Sequence, residues 1–260
     1  MKKNRTITIK LSIFVIIPLV ICCGCAANAV KQEQADVHKN IGISYLGAGQ
    51  FTEALKEFLL AEKITPQDPE IHYFLGIAYH EKGLNDKSID EFKKAIALRA
   101  NYSEAHNYLG TIYMDRGHLD EAIDSFKKAL SNELYGTPVL ALYNMGVAYH
   151  KKGMDDAAIS KYNEAIARGQ SSILVPLIEK EIGIILFKKG DTDNAVKHFQ
   201  KSLELSPSLV ESHYWLGVCF LKLKDYESAK SAFKSVIKLA PESDFGAKAK
   251  ENLKYLTVHQ

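Results

Sequence analysis

The chain has 260 residues, more than one small core requires but a length suited to a single extended repeat domain. Apolar residues make up 47% and charged residues 25%, and the formal net charge is +2. Lys2, Lys3, Arg5 and Lys10 precede any acidic residue, and without them the body lies near −2. This excludes a basic footprint for nucleic acid and a like-charge interaction tail.

The N-terminus reads as an address. Residues 1–10 are basic and polar, and residues 11–23, LSIFVIIPLVICC, are apolar apart from Ser12. Such a run reaches about 20 Å as a helix, short of the roughly 20 residues that span a bilayer. Basic, apolar and then small residues follow in the order of a secretory signal peptide, with an uncleaved anchor as the alternative. Gly24–Cys25 resembles the lipobox of bacterial lipoproteins, although Cys22 stands where that family prefers Leu. The resemblance implies a signal peptide over 1–24, lipid attachment at Cys25 and a flexible linker over 25–34. Cys22, Cys23 and Cys25 crowd this junction, which leaves Cys219 alone in the body. No internal disulfide can then brace the mature fold, and Cys219 reads as a buried small hydrophobe.

The rest of the chain repeats. Gly42, Gly76, Gly110, Gly146, Gly183 and Gly217 are separated by 34, 34, 36, 37 and 34 residues. Seven residues after each stands Gly49, Gly83, Gly117, Gly153, Gly190 and then Lys224. A small-residue column follows at Ala54, Ser88, Ala122, Ala158, Ala195 and Ala229, and a ring column at Phe58, Phe92, Phe126, Tyr162, Phe199 and Phe233. These columns resemble the tetratricopeptide repeat. The resemblance implies an all-α fold, a right-handed superhelix of six tetratricopeptide (TPR) helical hairpins plus a C-terminal capping helix. The domain would cover 35–257, with repeats at about 35–68, 69–102, 103–136, 139–172, 176–209 and 210–243 and the cap at 244–257.

The columns have a physical logic. A glycine inside the first helix costs up to about 1 kcal/mol against Ala and is tolerable where helices approach closely. The small column faces it, and the rings fill the space between successive hairpins. The second glycine supplies the left-handed turn. Extra residues near Gly136–Thr137–Pro138 and Gln170–Ser171–Ser172 either lengthen the second helix of a hairpin or loop out the link.

Little in the sequence points to chemistry. His38, His72, His106 and His213 share one repeat column, which assigns them packing at the hairpin interface rather than ligation. There is no HExxH, no pair of CxxC motifs and no glycine-rich phosphate loop. Asp155–Asp156 and Asp120–Glu121 begin helices, where they complement the helix dipole. No catalytic residue, metal site, cofactor or small-molecule substrate is expected, only a protein partner.

In the tetratricopeptide family the concave face is built mainly by the first helix of each hairpin. The resemblance therefore implies a partner groove of Tyr73, Ile77 and His80, of Asn107, Thr111 and Met114, of Tyr143, Val147 and His150, and of Tyr214. The same columns hold Lys39, Ile43, Lys180, Ile184, Phe187, Val218 and Leu221. The alternative is that part of this set is core between repeats. The carboxylate clamp of chaperone-binding members is missing, because Ile43 and Phe74 stand where it needs asparagines.

One link is distinctive. Leu134–Tyr135–Gly136–Thr137–Pro138 precedes Ala141 and then Asn144–Met145–Gly146. With a lipobox and six repeats, this resembles the pilotin-type lipoproteins of type IV pilus biogenesis and stability. The resemblance implies a non-catalytic scaffold, anchored through its N-terminal lipid at the periplasmic face of the outer membrane, that binds a secretin subunit and assists its assembly. Ala26 lacks the acidic side chain that marks inner-membrane retention. The alternatives are an adaptor of another envelope assembly, such as polysaccharide export or outer-membrane protein insertion, and a cofactor of a cell-wall enzyme or protease.

Overall fold

The computed structural model describes residues 28–258. The expected signal peptide, Cys22, Cys23 and the lipid site at Cys25 lie outside the described residues. Among the described residues the chain forms thirteen helices and no strand. None of these helices is long and apolar enough to cross a membrane. The described residues divide into two compact units, 28–112 and 113–258.

The first unit holds α1 (28–47), α2 (Phe51–Ile64), α3 (Pro69–Glu81), α4 (Asn85–Leu98) and most of α5 (Ser103–Asp115). Helix α1 packs on α2 around Gly42 and Phe58, α3 packs on α4, and α2 joins the two hairpins by packing on α3. The linker expected over 25–34 is helical from residue 28. The reason is tertiary as well as local. Ala35 is fully buried in the core beside Phe58 and Ile71, and Gln32 Nε2 donates to Asp68 Oδ2 at 3.3 Å.

The second unit holds the end of α5, then α6 (Leu119–Leu130), α7 (Pro138–Lys151), α8 (Asp155–Arg168), α9 (Val175–Lys188), α10 (Thr192–Leu205), α11 (Val210–Lys222), α12 (Tyr226–Leu239) and α13 (Asp244–Val258). The hairpins are α7–α8, α9–α10 and α11–α12, stacked through α6–α7, α8–α9 and α10–α11. Helix α13 caps α11 and α12, burying Ala249 and Leu256 against Phe233 and Val236. The extra residues of the two long repeats enter the links, since α6 ends at Leu130 and α8 at Arg168.

The ring column does more than fill the gap between hairpins. Phe58, Phe92, Tyr162, Phe199 and Phe233 also lie on the glycine of their own hairpin. A Cβ on Gly76 would stand 2.8 Å from Phe92 Cε1, and one on Gly146 2.4 Å from Tyr162 Cε1. On the other side Phe58 stacks on Phe74 and Phe92 on Tyr108, both at 5.5 Å between centroids. All six rings of the column are fully buried, each contributing about 2–3 kcal/mol of apolar transfer. The small column faces the same crossing, where Ser88 Oγ donates to the Gly76 carbonyl at 2.7 Å.

Between the paired helices the backbone turns through the left-handed region. Gly83 has φ 73°, and Leu84 N donates back to Tyr79 O at 2.9 Å. The last hairpin makes the same turn without glycine: Lys224 takes φ 63°, and Asp225 N donates to Phe220 O at 2.9 Å. Cys219 is fully buried, and burial pushes its thiol pKa up to about 12, as befits an inert core residue.

Candidate functional site: the first-helix face

In the first unit the expected groove residues divide. Ile77 and Asn107 are buried, while Tyr73, His80 and Thr111 are half-buried. Tyr73 belongs to a ring cluster, with centroids 5.1–5.9 Å from Phe74, Phe92, Tyr102 and Tyr108. Its ring is thus engaged in packing between hairpins, as the alternative reading of this set expects. His80 braces its own hairpin turn through Nδ1 and Asn85 Oδ1 at 3.1 Å.

In the second unit Met114 is buried, and Tyr143, Val147, His150 and Tyr214 are half-buried. Tyr214 packs on Trp215, Phe233 and Phe245, and Tyr143 lies 6.0 Å from Tyr162. Burial raises the Tyr143 phenol above its usual range, so it stays a neutral hydroxyl. His150 Nδ1 meets Asp155 Oδ1 at 2.5 Å, and its Nε2 lies 3.4 Å from Lys188 Nζ. Phe187 lies 5.7 Å from Trp215, with Lys222 Nζ 4.7 Å from the Phe187 centroid. The first helices α7, α9 and α11 thus share one strip of half-buried rings and aliphatic groups edged by Lys188, Lys222 and His150.

Two lysines of the same columns are not free to meet a partner. Lys39 Nζ contacts Asp36 at 2.8 Å and Glu70 at 2.9 Å, and Lys180 Nζ contacts Glu211 at 2.7 Å and Glu181 at 2.9 Å. Burial works against the charge of each, but the surrounding carboxylates outweigh it and hold both pKa values above the lysine range. Both lysines join successive hairpins. Lys152 with Asp120 and Lys189 with Asp156 do the same from the hairpin turns, which engages the acid pairs at the helix starts.

The histidine column also makes polar contacts at the hairpin interface. His72, His106 and His213 donate from Nε2 to the carbonyls of Pro66, Ala100 and Pro207 at 2.9–3.0 Å. Nδ1 of His38 meets Glu57 at 2.7 Å, and Nδ1 of His72 meets Glu91 at 2.7 Å. In the fifth hairpin the pair is exchanged between helices: Glu179, fully buried, receives His198 Nδ1 at 2.6 Å and pairs with Lys201. The partners stand 19 residues apart in all three hairpins. That spacing was available in the sequence as a signal.

Sequence reasoning missed one further surface. The two looped links lie together and line a pocket of about 600 Å³ with Tyr135, Pro138, Val139, Arg168, Ile173 and Leu174. Leu134 and Ile173, one on each link, are 91% and 90% exposed.

Tetratricopeptide-repeat sequence models match residues 42–83, 69–102, 103–133, 141–173, 183–224 and 211–243. The structure of PilF from Pseudomonas aeruginosa superposes with a TM-score of 0.75 at 17% identity, covering 85% of this chain and 99% of that one. PilW, described as a widely conserved type IV pilus biogenesis factor, superposes with a TM-score of 0.73 at 19% identity, covering 82% and 97%. Identities this low establish likeness of fold. Among curated proteins, the photosystem I assembly protein Ycf3 of Acaryochloris marina is 33% identical over 76 residues, 29% of this chain and 46% of that protein. The alignment thus spans less than half the length of that relative. With its glycine and ring columns, its stacked hairpins and these matches along its length, the chain belongs to the tetratricopeptide repeat family.

Proposed function

We propose that this protein is a non-catalytic scaffold, held at the periplasmic face of the outer membrane by lipid on Cys25, that assists secretin assembly in type IV pilus biogenesis. The observation that carries the binding role is the strip on α7, α9 and α11. Half-buried rings and aliphatic groups provide a preformed apolar surface, and Lys188 and Lys222 edge it with positive charge. A segment presenting apolar anchors beside acidic side chains complements that strip. The likeness to PilW supports the pilus reading. The likeness to Ycf3, an assembly protein, supports a second, an adaptor of another envelope assembly.

Deletion of the gene tests the first reading, with secretin recovered from membranes and run on semi-native gels. The proposal expects loss of the heat-stable multimer or its retention away from the outer membrane. A normal multimer at the outer membrane would refute the secretin role and leave the adaptor reading. Mass spectrometry of the mature N-terminus should find acylated Cys25, and Cys25→Ala should release the protein from the membrane.

A further inference from the structure

The position four residues after the ring column is aliphatic in five hairpins, at Ile96, Leu130, Ile166, Leu203 and Ile237. In the first hairpin it is Glu62. Side chains there point toward the next hairpin, so the exception places a carboxylate beside α3. Glu62 Oε1 lies 3.9 Å from His72 Nδ1, which lies 2.7 Å from Glu91 Oε2. Among the described residues this is the one group of three ligand-type side chains whose donor atoms all fall within 4.8 Å of one another. His38–Glu57 and His198–Glu179 have the histidine–carboxylate pair without the third donor.

We propose that Glu62, His72 and Glu91 form a binding site for one divalent transition-metal ion of the zinc class. His72 is oriented for this. Its Nε2–H is fixed on the Pro66 carbonyl at 2.9 Å, which turns Nδ1 toward both carboxylates. A backbone carbonyl holding the far nitrogen is the usual outer support of a metal-binding imidazole. One nitrogen and two carboxylate oxygens suit zinc and its neighbours, whereas calcium and magnesium prefer all-oxygen sets. Donors around a tetrahedral ion at about 2.0–2.2 Å stand roughly 3.4 Å apart. The present separations bracket that value, and carboxylate rotation closes the difference.

The ion has a place to enter and a charge to replace. Glu91 lines an open surface pocket with Tyr79, Lys87 and Lys94. Lys94 Nζ now supplies the positive charge, 2.8 Å from Glu91 and 4.0 Å from Glu62, and its side chain is 52% exposed and free to swing outward. Binding displaces the Lys94 ammonium to solvent and releases the proton carried on His72 Nδ1. The bound ion joins α2, α3 and α4, tying the first hairpin to the second. It is a structural staple independent of the partner strip.

The test uses the full chain with Cys22, Cys23 and Cys25 changed to Ser in every sample, so that thiolates do not contribute. Zinc chloride is titrated calorimetrically and the melting temperature is followed with zinc and with chelator. The site predicts one saturable ion per chain and a rise in Tm of about 5 °C at a hundredfold excess over Kd. Glu62→Leu restores the residue type of the other hairpins, so it keeps the fold. It should weaken binding at least tenfold, as should His72→Gln, while Lys94→Ala should strengthen it. Absence of saturable binding overturns the proposal, and so does binding of unchanged affinity in Glu62→Leu with circular dichroism intact.

Discussion

Replacing Gly146 with alanine sets two effects of known sign against each other. Alanine in a helix interior gains about 1 kcal/mol over glycine. At this site the new Cβ would lie 2.4, 2.6 and 2.9 Å from Cε1, Cδ1 and Cζ of Tyr162. That ring is fully buried and cannot swing into solvent, so α7 and α8 must separate. Overpacking of this kind costs about 1–3 kcal/mol, and the substitution should destabilise by about 1 kcal/mol net. Gly47, at the end of α1, has nothing within 4 Å of its would-be Cβ, so Gly47→Ala should stabilise by about 0.5 kcal/mol. Urea unfolding followed by circular dichroism, at constant m, measures both. If the two variants shift the midpoint in the same direction, close approach is not why the column is glycine.

Three further outcomes follow from particular side chains. The Tyr162 hydroxyl is buried without a hydrogen-bond partner among the described residues, so Tyr162→Phe should stabilise by about 1 kcal/mol in the same assay. Lys224 holds a left-handed conformation that costs an L-residue about 1–2 kcal/mol, so Lys224→Gly should stabilise by about 0.5 kcal/mol after the entropy of the freer unfolded chain is subtracted. Burial alone would raise the Glu179 pKa, but the His198 and Lys201 contacts outweigh it and leave it below the usual glutamate range. The resulting stability is present above the unfolded-state pKa and is lost as pH falls through the lower folded value. Glu179→Gln should flatten the acid limb of a stability–pH profile, and an unchanged limb would refute the assignment.

The hairpins were legible because glycine and ring columns recur where helices must cross closely. The turn in the last hairpin was harder to read, since Lys224 adopts the glycine conformation without glycine. The hydrogen bonds of the histidine column were not legible, because a polar ring at a packing position reads the same whether it only fills space or also donates. Its partners, 19 residues away and exchanged between helices at Glu179 and His198, carried the missing information. The groove was legible only as a direction. Ile77 and Ile184 are 7% exposed, whereas Thr111, Val147 and Val218 in the same column are half-buried. A column fixes where a side chain points, and the neighbouring hairpin decides how much of it is covered. The two long spacings were visible as insertions, but their convergence on one pocket depends on how the hairpins stack.

The central claim is partner capture on the first-helix face of the second unit. Site-specific photo-crosslinking in cells tests it most directly, with the probe placed in the full-length protein at Val147, Phe187 or Leu221 and, as a control, at exposed Lys234 on α12. The account predicts that a secretin subunit crosslinks from the three strip positions and not from Lys234. Equal crosslinking from Lys234, or none from the strip while the secretin is present, would contradict it.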